Sequence, residues 1–150
     1  MKLSQALSRI APSSTAAMSD RATELRAAGK DIISLSVGEP DFATPGHVIE
    51  AAKASLDRGD TRYTPVTGTL AVREAAALHF ERDLGIKAAP SQVIVSAGGK
   101  QAIFHALCAT LDPGDEVLIP SPWWVSYPEI VRFAGGTVVP LETTPATGYR

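Results

Sequence analysis

Val93-Ile94-Val95-Ser96-Ala97-Gly98-Gly99-Lys100-Gln101-Ala102 is the stretch on which the fold turns. Three β-branched apolar residues in a row read as a short strand buried on both faces. The glycine pair breaks it. The run from Lys100 to about Leu111 then reads as a helix that is apolar nearly all round, which predicts that it is largely buried. The alternation continues downstream. Asp112-Pro113-Gly114 is a turn, Val117-Leu118-Ile119 a second buried strand, and Ser121-Pro122-Trp123-Trp124 a loop. Pro128 can start a helix that runs to Phe133 and stops at Gly135-Gly136, and Thr137 to Leu141 is a third strand. The order β-α-β-α-β predicts an α/β sheet with helices on its faces.

Upstream, residues 1–30 read as a polar arm and a short helix, with Ser19 as its cap and Gly29 suited to the left-handed position after its end. Ile32 to Val37 is a further strand candidate, broken by Gly38-Glu39-Pro40-Asp41. Thr44 is a fit N-cap for a helix with Pro45 at its first position. In that helix Val48, Ala51, Ala52, Ser55 and Leu56 form one apolar stripe, and Gly59 ends it. A loop over 60–68 leads to a helix over about 69–84, with Val72, Ala76, Phe80 and Leu84 on one face. The last residues, Thr147-Gly148-Tyr149-Arg150, follow a strand without a closing helix, so the unit is expected to be incomplete.

The 150 residues carry 45% hydrophobic and 20% charged side chains, an ordinary globular composition. A folded chain of this mass should expose about 7,300 Å² and bury about two-thirds of its extended surface. Fourteen basic against 16 acidic residues give a net charge of −2, which makes no electrostatic case for nucleic acid or an anionic membrane. No apolar run approaches the ~20 residues of a membrane helix. The single cysteine, Cys108, excludes an intrachain disulfide, fits a reducing compartment, and sits in an apolar run where a buried thiol is expected. His47, His79 and His105 stand alone without ligand spacing, so no metal site is expected.

Three features bear on chemistry. Gly98-Gly99-Lys100 opens a helix after a strand. Free N–H groups, a partial positive charge, glycines that admit an anion and a lysine ammonium make a competent phosphate cradle. An ordinary helix entry with a solvated lysine explains the same residues. No G-x-G-x-x-G is present, and Gln101 stands where a Walker A loop needs Ser or Thr, so dinucleotides and nucleoside triphosphates are disfavoured. Trp123-Trp124 lies past the carboxyl end of a strand, where ligands of open α/β sheets bind, and offers a flat ring face or ordinary core packing. Arg62-Tyr63 sits in a loop, where a solvated role is the plainer reading.

Five segments in order resemble the class I aminotransferases, enzymes of fold-type I that use pyridoxal phosphate, and most closely their aspartate/aromatic branch. They are Val37-Gly38-Glu39-Pro40-Asp41-Phe42-Ala43-Thr44-Pro45, Thr61-Arg62-Tyr63-Thr64-Pro65, Gly98-Gly99-Lys100-Gln101-Ala102, Leu111-Asp112-Pro113-Gly114-Asp115-Glu116-Val117 and Ser121-Pro122-Trp123-Trp124-Val125-Ser126-Tyr127-Pro128. Similarity from about residue 8 leaves no room for a transit peptide. The resemblance implies the N-terminal part of such a transferase: an arm and small-domain portion over 1–45, then the first part of the large cofactor-binding domain over 46–150, with the start of a mixed or parallel sheet and helices on both faces.

It also implies roles. Gly99 and Lys100 would hold the phosphate of pyridoxal 5'-phosphate, Trp124 would stack on the pyridine ring, and Tyr63 would reach the phosphate in the neighbouring subunit of a homodimer. Gly38, ahead of Gly98, would contact the substrate carboxylate, with Trp124 beside it. The expected activity is transamination between an L-amino acid and a 2-oxo acid by a ping-pong route, in the cytoplasm. The imine-forming lysine, with the aspartate, asparagine, tyrosine and arginine of the family's site, is expected beyond residue 150, so no catalytic residue is assigned here and the piece alone is expected to be inactive. Ala11-Pro12-Ser13 stands where many members have Lys-Pro-Ser. Losing that charged contact to a distal carboxylate would cost about 1.5–3 kcal/mol, so a preference for aspartate is not implied. A lyase or decarboxylase of the same fold is the alternative enzyme. A non-catalytic sensor domain is the alternative outside catalysis, disfavoured because no basic helix-turn-helix precedes the matching region.

Overall fold

The computed structural model describes residues 2–150. Two compact units emerge: one runs to Gly38 and resumes over Gly98–Arg150, and the other is Glu39–Ala97.

In the first unit α1 spans Ser14–Ala27, α4 Gly99–Thr110, β1 Glu116–Ser121, α5 Ser126–Ala134 and β2 Thr137–Glu142, after a 3-10 turn at Gln5–Arg9. β1 and β2 pair in parallel, in register from Glu116 opposite Thr137 to Ser121 opposite Glu142. A parallel pair needs a crossover, and α5 supplies it. The helix lays Pro128, Ile130 and Val131 against the sheet, with Val131 only 1% exposed beside buried Ile119. The Thr143 hydroxyl donates to the Ser121 carbonyl and closes the carboxyl end of the pair.

The second unit holds α2 (Gly46–Asp57), α3 (Leu70–Leu84) and a 3-10 turn at Pro90–Gln92. The Arg73 guanidinium donates from Nε to the Gly68 carbonyl at 3.1 Å and from Nη1 to the Pro90 carbonyl at 2.9 Å. Val95 N–H donates to the Thr67 carbonyl at 3.1 Å, so the Val93–Val95 segment lies against the loop before α3. Ala77 and Val93 are the buried residues here.

Several expectations are corrected. Ile32–Val37 and Val93–Val95 form no strand, because a strand exists only with a ladder partner and neither segment has one among the described residues. Ile33 and Leu35 stand almost fully exposed as a result. α4 buries no residue: only Gln101, Ile103, Phe104 and Leu107 lose part of their surface, with Phe104 and Phe133 rings 5.3 Å apart. One helix and two strands leave the rest of its apolar surface uncovered. Cys108 is exposed for the same reason. The accessible surface is 12,032 Å², well above the value for a single closed core.

Two caps also move. Ser13, in extended backbone, accepts from Ala16 N–H at 3.2 Å and starts α1, while Ser19 lies inside the helix and meets the Ser36 hydroxyl at 3.0 Å. At α2, Pro45 is itself the cap, and its carbonyl accepts from Val48 and Ile49 N–H. The α2 stripe forms but is not covered, with no buried residue in the helix.

Candidate functional site

The site grows from the turn into α4. Gly98 adopts φ 83° and ψ 165°, a conformation that L side chains rarely take, and so turns the chain into the helix. A Cβ built on Gly98 or on Gly99 would meet nothing within 4 Å, so this face of the turn is open. The Ala102 N–H donates to the Gly98 carbonyl at 3.4 Å. The amides of Gly99 and Lys100 come before it, at the positive end of the helix dipole.

Lys100 is the second residue of α4, and its Nζ stands 4.5 Å from the centroid of the Trp124 ring. Trp124 arrives from the loop after β1. It is 45% exposed, packs edge-on against Tyr127 with centroids 5.5 Å apart, and its carbonyl accepts from Tyr127 N–H at 3.0 Å. The indole is thus held by the first turn of α5 while much of its surface stays open.

Lys100 and Trp124 share a cavity of about 290 Å³ with Ser13, Thr15 and Ser126. A larger one, about 680 Å³, extends from Lys100 and Pro12 over Phe104, Trp123 and Phe133. The Lys100 ammonium and the Ser13, Thr15 and Ser126 hydroxyls collect beside an aromatic face, next to the start of α4. That set suits an anion carried on a flat ring. A pyridine ring bearing a phosphate ester would suit this set, with Lys100 available to the anion and Trp124 to the ring.

The remaining site candidates are placed separately. Gly38 is exposed, with open space at its Cβ position, and follows Val37, which lines the smaller cavity. Tyr63 belongs to the unit Glu39–Ala97 and is fully exposed there. Ser13, the last residue of the Ala11-Pro12-Ser13 segment, lines the cavity, and so does Thr15, whose one signal in the sequence is the polar Ser-Ser-Thr run directly after Pro12. The carboxyls whose pKa values move, Asp60 and Asp83, lie in the other unit. Among the described residues no cluster of His, Cys, Asp and Glu could hold a metal ion, and no helix is long and apolar enough to cross a membrane.

Residues 30–150 match the family model described as aminotransferase class I and II. An aspartate/prephenate aminotransferase of Thermus thermophilus is 51% identical over 147 residues, which is 98% of this chain and 38% of the relative. Its counterpart in Cereibacter sphaeroides is 50% identical over 99% of this chain and 37% of its own length. Among solved structures, the aspartate aminotransferase from Thermus thermophilus with maleate superposes with a TM-score of 0.93 at 50% identity, over 99% of this chain and 39% of that one. The aspartate aminotransferase from Rhizobium meliloti gives 0.94 at 38% identity. The chain therefore spans well under half the length of these relatives.

Proposed function

The chain belongs to the class I and II aminotransferase family, and on that premise we propose that it is the N-terminal part of a pyridoxal-phosphate-dependent transaminase acting on an L-amino acid and a 2-oxo acid. Its α/β fold matches the N-terminal part of aspartate aminotransferase structures. The observation that carries the proposal is the approach of Lys100, at the start of α4, to the half-open indole of Trp124.

In this reading the Gly99 and Lys100 amides and the Lys100 ammonium hold the cofactor phosphate by charge-assisted hydrogen bonds, which are stronger than neutral ones. Trp124 orients the pyridine ring by stacking and borders the substrate, Gly38 meets the substrate carboxylate, and Tyr63 serves the phosphate across a homodimer boundary. Lys100 works at the phosphate end and is not the imine-forming lysine. The bound cofactor supplies the electron sink for exchange at the amino acid's α-carbon. Residues 1–45 are the arm and small-domain portion and 46–150 the first part of the cofactor-binding domain. These 150 residues alone do not turn over, and the whole protein works in the cytoplasm.

The test uses the full-length protein. Pyridoxal phosphate should raise an absorbance band near the visible edge, an amino acid should bleach it, and a 2-oxo acid should restore it. A crystal of that protein should place the phosphate at the start of α4. No band, or an anion bound elsewhere, overturns the reading.

A further inference from the structure

Glu129, in the first turn of α5, reaches a residue 118 positions away. Its Oε2 accepts from Ala11 N–H at 2.8 Å, while Oε1 accepts from Arg132 Nη1. The two ends of this bond differ in rigidity. Pro128, Ile130 and Val131 around Glu129 are buried against the sheet. Ala11, Pro12, Ser13 and Ser14 are all exposed. The carboxylate therefore joins a firmly packed helix to a stretch of arm with little burial of its own.

That stretch leads into the cavity wall. Pro12 has no N–H, so Ala11 offers the last main-chain donor before Ser13. Ser13 caps α1 and lines the cavity together with Thr15, Lys100 and Trp124. Two residues of extended chain span about 7 Å, so fixing Ala11 leaves Ser13 little freedom. We infer that Glu129, which also borders the larger cavity, is a positioning residue: it acts through the arm, which it sets as the wall against which the substrate is bound. This rests on the transaminase reading above.

The test measures both substrates' KM, kcat and the cofactor band in the full-length enzyme. Glu129→Ala should raise KM about five- to tenfold, the worth of one hydrogen bond, with kcat and cofactor affinity within about twofold of wild type. Glu129→Gln keeps an acceptor and should restore KM to within about twofold. Ala11→Pro deletes the donor from the other side, and Ile10, at φ −111° and ψ 147°, already has the backbone that a following proline requires. It should reproduce the rise, and the double variant should add nothing further.

A wild-type KM in Glu129→Ala, an undiminished rise in Glu129→Gln, or loss of the cofactor together with the KM change overturns the inference. Should Glu129→Ala not fold, Ala11→Pro decides: a rise supports the inference and a wild-type KM overturns it. A wild type without a cofactor band defeats the transaminase reading itself and the inference with it.

Discussion

The Lys100 ammonium lies over the Trp124 indole, 4.5 Å from the ring centroid, and so joins the helix before β1 to the loop after it. The contact places a cation and an aromatic face on one cavity at the carboxyl end of a parallel strand. Open α/β sheets bind their ligands in that region.

Lys100→Gln should weaken pyridoxal phosphate binding by about ten- to a hundredfold, the range for a charged hydrogen bond. The visible band should still form at saturating cofactor. Spectrophotometric titration measures both. Hydride reduction that locks the cofactor onto Lys100 would refute the phosphate role.

Trp124→Ala should lower cofactor affinity, with stacking contributing about 0.5–1.5 kcal/mol beyond area burial. Trp124→Phe keeps a ring face and should lose less. Equal affinities in all three proteins would mean that the indole is packing alone.

Tyr63→Phe removes one hydroxyl from a ring that is fully exposed in its own unit. Cofactor retention through dialysis should fall, with a cost of about 1 kcal/mol, and Tm should not move. Unchanged retention would show that the cross-subunit role is wrong.

Gly68→Ala should destabilise the protein by about 1–3 kcal/mol through strain and overpacking. Gly68 has φ +96°, and an added Cβ would lie 2.6 Å from Val95 Cγ2. Gly29→Ala, at φ +78° with open space around it, carries the backbone cost alone and should lower Tm less. Equal losses in thermal melts would remove the Val95 contact from the account.

The Asp60 carboxyl is held below its usual 3.8, first by the Ser55 hydroxyl and then by Arg58. A depressed carboxyl stabilises the fold above its ordinary value, and this is lost as pH falls through the folded value. Asp60→Asn should therefore lower Tm near neutral pH, and the gap to wild type should close in acid below 3.8. The group is solvent-exposed, so added salt should shrink the gap. A gap that persists in acid would assign the effect to something other than this charge.

Much of the architecture is local, and the amino-acid order determined it. Prolines at helix starts, glycines after helix ends and apolar periodicity marked the α-helices, although α1 begins at Ser13 rather than Ser19 and α2 follows Pro45 rather than Thr44. The parallel unit from Val117 to Leu141 followed from the same local signals. Gly98-Gly99-Lys100 and Trp124 stood out as candidates because glycine freedom, charge and ring faces are properties of single residues, and only the family resemblance gave them roles.

Tertiary structure decided everything that takes two distant partners. Val93–Val95 has the composition of a strand, yet a strand is a property of a pair, and no neighbour aligns with it among the described residues. α4 is apolar nearly all round, but burial depends on what lies opposite, and only one of its faces meets α5. The approach of Lys100 to Trp124 exists only once α4 packs beside α5, and that of Glu129 to Ala11 only once the arm lies on α5, because sequence patterns encode spacing along the chain and not distance across it.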